Sequence, residues 1–313
     1  MRIAILGATS AIAKDLIELL LAKTDHQLYL FSRNQACISE WSKGLSGHHL
    51  SRIHNKSYSQ FMDGKNYEAL INFVGAGDPA KAASMGSSIL EVTRKYDELC
   101  LAYQQINPNC RYIFMSSGAS YGSFFELPVS LESMAAFPIN KIRKQDFYGV
   151  AKMYAEVCHR SLSLPIVDIR IFNYFSSTQN IDTQFFISEL IRAIKQKKLF
   201  VTSRDNIVRD YIGATDFFSL INSVLSAAAI NTVVDCYSLK PINKYQILQS
   251  FQEEFGLKYE FLADSVVVNA TGYKPCYHSI NYSAKNFGYL PAYTSLDLLL
   301  SESRKLLTSN IGA

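Results

Sequence analysis

Short apolar runs rich in β-branched and aromatic residues punctuate the first half of the chain, at residues 3–6, 28–31, 69–74, 112–115 and 166–171. They read as strands covered on both faces, because a half-exposed strand would alternate apolar with polar positions. Between them, residues 11–23, 88–105 and 148–161 place apolar side chains three and four apart, the spacing of one buried helix face. This alternation predicts an α/β fold, a doubly wound parallel sheet with right-handed crossovers. After residue 173 the rhythm changes. Residues 185–196 and 217–228 read as helices, 199–202 as a short strand, and 232–237 as the last strand of the main sheet. Residues 240–313 mix short helices with turn signals at Gly256, Gly272, Lys274-Pro275 and Leu290-Pro291. They predict a smaller second lobe.

Composition narrows the function classes. With 48% hydrophobic residues in 313, the chain has ample material for a core. A net charge of +4, from 31 basic and 27 acidic residues, is too mild to imply nucleic acid, and the aromatics are not interleaved with Arg and Lys. No run approaches the roughly 18 apolar residues of a membrane span. Met1-Arg2 leads straight into the first strand with no cleavage pattern, so a cytoplasmic protein is expected. The six cysteines (37, 100, 110, 158, 236, 276) include no Cys-x-x-Cys and read as buried reduced thiols. His48, His49 and His54 have no acid or thiol pair beside them, so loop histidines are expected and no metal. Hydrolysis by a Ser-His-Asp set is not expected.

Three places carry chemistry. Gly7-Ala8-Thr9-Ser10-Ala11-Ile12-Ala13 lies between the first strand and first helix, where a dinucleotide pyrophosphate sits on backbone N–H groups. Only Gly7 of the usual three glycines is present; Ser10 and Ala13 are small substitutes. About twenty residues on, the second strand ends in Ser32-Arg33 with no acid to bind the ribose hydroxyls of NAD(H). Ser32 and Arg33 suit the 2′-phosphate of NADP(H), which a guanidinium meets with charge-assisted bonds. The third place is Ser116-Ser117-Gly118-Ala119-Ser120-Tyr121-Gly122 with Tyr148-Gly149-Val150-Ala151-Lys152 downstream. Tyr148 and Lys152 are four apart, hence on one helix face, where an ammonium stabilises a phenolate. A serine hydroxyl from a strand end can share a substrate oxygen with that phenol.

With these motifs the chain resembles the extended short-chain dehydrogenase/reductase family, in its nucleotide-sugar epimerase, dehydratase and reductase branch. The resemblance implies a Rossmann-type sheet, with residues 1–172 plus about 208–239 binding the dinucleotide. A smaller α/β C-terminal lobe, about 173–207 plus 240–313, would bind substrate. It implies a catalytic set of Ser117, Tyr148 and Lys152, and cofactor contacts from Gly7, Thr9, Ser10, Ala11, Ile12, Ser32, Arg33, Val74, Gly75, Tyr148 and Lys152. Arg170-Ile171-Phe172-Asn173 is similar to the family's Arg-Tyr-Phe-Asn, whose Asn contacts the sugar nucleotide. Val208-Arg209-Asp210-Tyr211-Ile212 resembles its Val-Arg-Asp-Tyr-Ile, whose Arg binds the substrate diphosphate. Asn286-Phe287-Gly288-Tyr289-Leu290-Pro291 resembles its C-terminal Leu-Gly-Trp-x-Pro.

The chain also departs from the family. Asn72-Phe73-Val74-Gly75-Ala76-Gly77 replaces a His-Leu-Ala-Ala segment, and Glu91-Val92-Thr93 stands where many members have Asn-Val. No second arginine lies near residue 274, where Lys274 is a poor substitute. Gly118-Ala119 occupies the place of the Asp-Glu pair that 4,6-dehydratases use to move protons. The expectation is an NADP(H)-dependent oxidoreductase, with NAD(H) the alternative, that reduces a keto group on a nucleotide-diphosphate sugar. The competing expectations are a nucleotide-sugar epimerase with retained cofactor and a non-catalytic NADP-binding regulatory protein. By analogy with the family, the resemblance implies a homodimer through the helices at 88–105 and 148–161.

Overall fold

Residues 1–63, 66–76, 79–262 and 274–308 are described by the structure, a computed structural model. The turn expected at Gly272 and the end of the segment at Gly77 lie outside these residues. The first half runs β1 (Arg2–Leu6), α1 (Ala11–Lys23), β2 (Gln27–Phe31), α2 (Gln35–Ser42), α3 (Gly47–Leu50) and β3 (Ile53–Lys56). It continues through β4 (Ala69–Asn72), α4 (Pro79–Met85), α5 (Ser88–Ile106), β5 (Arg111–Ser117), α6 (Phe147–Arg160) and β6 (Ile166–Ile171). Then follow β7 (Asn173–Tyr174), α7 (Phe186–Lys195), β8 (Phe200–Thr202), β9 (Val208–Arg209), β10 (Tyr211–Ile212), α8 (Ala214–Ser226) and β11 (Thr232–Asp235). The chain closes with β12 (Ile242–Asn243), α9 (Lys244–Phe255), β13 (Tyr259–Phe261), β14 (Cys276–Tyr277) and α10 (Ser295–Thr308).

Seven parallel strands form the main sheet in the order β11-β6-β5-β4-β1-β2-β3. Chain order reverses between β1 and β4, so their C-terminal ends open a crevice of the kind that binds nucleotides in doubly wound sheets. One face is covered by α1 and α8, with Leu16, Leu20, Phe217 and Leu220 out of solvent. The other is covered by α5 and α6 through Cys100, Tyr103 and Ala155. The expected strand at 232–237 joins this sheet as β11, beside β6.

One strand and one strand end depart from the hydrophobic reading for physical reasons. Strand β3 was not expected because Ile-His-Asn-Lys is half polar, and it lies at the sheet edge with every residue partly exposed. Strand β5 runs two residues beyond the apolar stretch to Ser117, whose hydroxyl, like that of Ser116, is buried but hydrogen-bonded. The remaining strands form small sheets, β7 with β10, β9 with β12 and β14, and β8 with β13. Beside them α7, α9 and α10 pack Leu190, Ile191, Leu248, Phe251 and Leu299 into a separate core. Asp15 of α1 accepts hydrogen bonds from Tyr174, Ser176 and Thr178, which tie the segment leaving the sheet to the first helix.

The six cysteines are free. Burial was expected for all of them; Cys37 is instead exposed on α2, and Cys158 and Cys276 are half-buried. Among the described residues no helix is long and apolar enough to cross a membrane, and no group of three or more metal-ligating side chains occurs. His54, expected in a loop, stands on β3 and stacks on Tyr29 at 4.6 Å.

A buried charge network links α5, α6, β5 and β6. The His159 ring lies between Asp168 Oδ1, at 2.7 Å from Nδ1, and Asp97 Oδ1, at 2.8 Å from Nε2. Tyr112 donates to the same Asp97 oxygen and receives an N–H from Asn72. Burial alone would lower the imidazole pKa, but the two carboxylates overcome it and raise it from 6.5 to about 9. A group whose folded pKa is raised contributes stability that is complete below its unfolded value and lost as pH rises through the folded one. His159 should therefore stabilise the fold by up to roughly 3 kcal/mol below pH 6.5 and lose that contribution by about pH 9. NMR of the imidazole ring should show titration near pH 9; titration near 6.5 would contradict the bridged imidazolium.

Candidate active site

Gly7 ends β1 with φ +74°, and a Cβ there would stand 2.9 Å from the Phe73 carbonyl carbon. Only glycine allows the first turn to lie this close to the chain leaving β4. Ser10 caps α1, its Oγ accepting from Ala13 N, so its side chain serves the helix while Ala11 and Ile12 head it with their N–H groups. At the end of β2, Ser32 is buried and its Oγ has no hydrogen-bond partner among the described residues, while Arg33 is exposed beside it. Tyr58 was not anticipated. Its hydroxyl accepts from Gly7 N at 3.1 Å and donates to Phe31 O at 3.3 Å, which makes it a wall of the same crevice. An orphaned buried hydroxyl and a helix N-terminus behind a glycine turn fit a dinucleotide.

Beyond β4, Val74 N donates to Asn72 Oδ1, turning the chain toward Gly75. A Cβ on Gly75 would lie 3.5 Å from Lys152 Nζ, so this backbone passes directly over the lysine. Lys152 is buried, donates to Met115 O at 2.7 Å, and stands 4.3 Å from the centre of the Phe114 ring. Burial pulls its ammonium down to about 8, against the raising influence of Asp97, Glu156 and Asp168.

Tyr148 sits one turn earlier on α6, its ring centre 5.8 Å from Lys152 Nζ. Burial pushes the phenol up, partly opposed by a hydrogen bond from Ser117. The serine ends β5, and its Oγ accepts from Ala119 N at 3.2 Å. Helix and serine turn meet because residue 149 is glycine: a Cβ there would fall 2.4 Å from Ala119 O. The expected Ser117, Tyr148 and Lys152 thus stand together at the C-terminal edge of the sheet, next to the crevice.

The small sheet of β9, β12 and β14 brings two cations near the site. Arg209 is buried on β9, and its Nη1 donates to Val208 O and Lys274 O. Neighbouring carboxylates do not neutralise it: Asp210 accepts from Ser238 and Ser295, and Asp216 from the N–H groups of Ala292 and Tyr293. Lys274, judged from sequence a poor substitute for a second arginine, lies beside it, its Nζ 4.7 Å from the Tyr277 ring centre. Among the described residues no carboxylate forms an ion pair with either cation. Burial lowers both, and the Arg209 charge helps to bring Lys274 to about 8. A buried guanidinium and a half-buried ammonium side by side fit an anion between them. Asn173 donates to Asp210 O at 3.0 Å, which ties β7 to this segment. Arg170 is bound by Glu156 and Asp235 and serves the fold.

A second side chain that the sequence did not reveal is Tyr277. It pairs in register with Arg209 across β14 and β9, packs its ring edge-on against Phe125 and Phe172, and places its hydroxyl 3.4 Å from Ser117 Oγ. Neither strand exceeds two residues, so no periodicity marked it.

A doubly wound sheet with a Ser/Tyr/Lys cluster at its carboxyl edge defines the extended short-chain dehydrogenase/reductase class. The chain belongs to the NAD dependent epimerase/dehydratase family, whose model matches residues 3–236. No curated protein matches it. Among solved structures it is similar to a UDP-N-acetylglucosamine 4-epimerase from Methanobrevibacter ruminantium, at 15% identity over 99% of each chain with a TM-score of 0.80. It is also similar to dTDP-glucose 4,6-dehydratase from Bacillus anthracis in complex with NAD, at 16% identity over 99% of this chain and 97% of that one, TM-score 0.77. A UDP-glucuronic acid 4-epimerase from Bacillus cereus gives 16% over 98% and 99%, TM-score 0.74. At these identities the likeness establishes the fold.

The cation pair generates a prediction. Inorganic pyrophosphate should bind the protein, and Arg209→Ala or Lys274→Ala should each weaken it about ten- to a hundredfold. Because Lys274 loses its proton near pH 8, wild-type affinity should fall between pH 7 and 9 relative to Lys274→Arg, which stays charged. Calorimetry showing parallel pH profiles for the two proteins would contradict the assignment.

Proposed function

We infer that the protein reduces a keto group on a nucleotide-diphosphate sugar with NADPH. The observation that carries this reading is the pairing of Ser117, Tyr148 and Lys152 beside the dinucleotide crevice with the Arg209–Lys274 cations a strand away. Thr9, Ala11 and Ile12 would hold the cofactor pyrophosphate on backbone N–H groups, with Gly7 turning the chain close to the cofactor and Ser10 capping the helix beneath them. Val74 and Gly75 would pass over the nicotinamide end, above Lys152. The absence of an acid after β2, with Ser32 orphaned and Arg33 exposed, favours a 2′-phosphate and hence NADP(H) over NAD(H).

When bound, the nicotinamide supplies a hydride to the keto carbon. Tyr148 gives the proton that the resulting oxygen takes up. Burial pushes this phenol up, which favours the protonated form that gives the proton. Ser117 donates a hydrogen bond to the same substrate oxygen. Lys152, anchored on Met115 O, contributes positive charge beside the phenol and the cofactor ribose. Arg209 and Lys274 would hold the diphosphate, and Asn173 would meet the nucleotide sugar, so that remote binding energy orients the sugar.

Gly118 and Ala119 offer no proton-transfer group next to Ser117, which speaks against dehydration. The epimerase reading draws support from the structural neighbours that are UDP-sugar 4-epimerases. The exposed Tyr154 and Val157 on α6 support pairing of two copies through α5 and α6.

Tyr148→Phe should lower NADPH-dependent turnover of a nucleotide-linked 4-keto sugar by roughly 10²–10⁴-fold and leave NADPH binding intact. Absorbance at the reduced nicotinamide band and a fluorescence titration read the two quantities. Wild-type turnover in the variant would remove Tyr148 from the mechanism.

A further inference from the structure

The geometry points to Tyr277 as a positioning residue that fixes the direction of the Ser117 hydroxyl and so joins the cation pair to the reaction centre; this rests on the reductase reading above. A serine hydroxyl has one proton and two lone pairs. One lone pair of Ser117 Oγ already accepts from Ala119 N at 3.2 Å. Tyr277 Oη lies 3.4 Å from the same oxygen, a long contact of the kind that tightens once substrate fills the site. Between a phenol and an alcohol the phenol is the stronger acid, so Tyr277 donates and Ser117 accepts. Both lone pairs are then occupied, and the serine proton can point only outward, to Tyr148 or to a substrate oxygen. Burial pushes the Tyr277 phenol well up, which keeps its proton in place.

The rest of the Tyr277 side chain is held by aromatic rings and cations. Its ring is clamped between Phe125, at 4.7 Å, and Phe172, at 5.2 Å, with Lys274 Nζ at 4.7 Å from its centre and the Arg209 guanidinium at 5.8 Å. The same side chain therefore touches the cations that take the diphosphate and the serine that meets the sugar. Gly118 keeps this arrangement open, since a Cβ there would run into the Phe172 ring at 2.4 Å.

The test is a double-mutant cycle in the full-length enzyme. Tyr277→Phe deletes one oxygen and keeps the ring packing, so the melting temperature should stay near wild type. With NADPH and dTDP-4-keto-6-deoxyglucose as the probe, kcat should fall at least about tenfold, while the dTDP dissociation constant stays within about twofold. In a Ser117→Ala background, adding Tyr277→Phe should cost no further kcat, because the phenol acts through the serine. Wild-type kcat in Tyr277→Phe, an equal loss with and without the serine hydroxyl, or a loss confined to dTDP affinity would each overturn the inference. If Ser117→Ala alone leaves kcat unchanged, or wild type neither binds nor reduces the probe, the reductase reading fails first and this inference with it.

Discussion

Helix α6 reaches the serine turn only because Gly149 has no side chain. A Cβ at that position would lie 2.4 Å from the Ala119 carbonyl oxygen, and pushing the helix away would carry Tyr148 and Lys152 with it. The contact is made at the first turn of α6, where the phenol sits; one turn later Lys152 is locked by its bond to Met115 O. Two side chains on one helix face are thus fixed against the ends of two adjacent strands, β5 directly and β4 through the backbone at Gly75. Parallel strands deliver their carboxyl ends to one edge of the sheet, so a helix anchored there can bring proton donor, cation and hydroxyl into one small volume.

Behind this edge the protein stores charge. Asp97 of α5, Asp168 of β6 and Glu156 of α6 itself are buried, and each raises the tendency of Lys152 to hold its proton against burial. His159 between two of them, and Arg170 against the third, keep those carboxylates from standing unpaired. Around β9 and β14 the imbalance is opposite: burial lowers both Arg209 and Lys274, and neither forms an ion pair among the described residues.

Much of this was legible in the sequence because the relevant signals are local. The strand–helix alternation, the turn at Gly7, and the four-residue spacing of Tyr148 and Lys152 each depend on neighbours within a few positions. What escaped was set by distant chain. Tyr277 meets Ser117 across 160 residues, through a two-residue strand with no pattern of its own. Lys274 gained its place from the pairing of β14 with β9, which residue identity alone does not reveal. Tyr58 reads from sequence as an ordinary aromatic; only the convergence of β1, β2 and the turn after β3 shows that it closes the crevice. Edge strand β3 was missed because solvent on one side permits His, Asn and Lys where a buried strand would not.

The central claim is that a hydride passes from NADPH to a sugar carbon and stays there. Incubating the enzyme with a keto-sugar nucleotide and NADPH deuterated at nicotinamide C4, then locating the label by NMR and mass spectrometry, tests it directly. The account predicts stoichiometric consumption of NADPH and deuterium on the carbon that now bears the new hydroxyl. Inversion of a sugar hydroxyl with no net consumption of cofactor would contradict it and identify an epimerase.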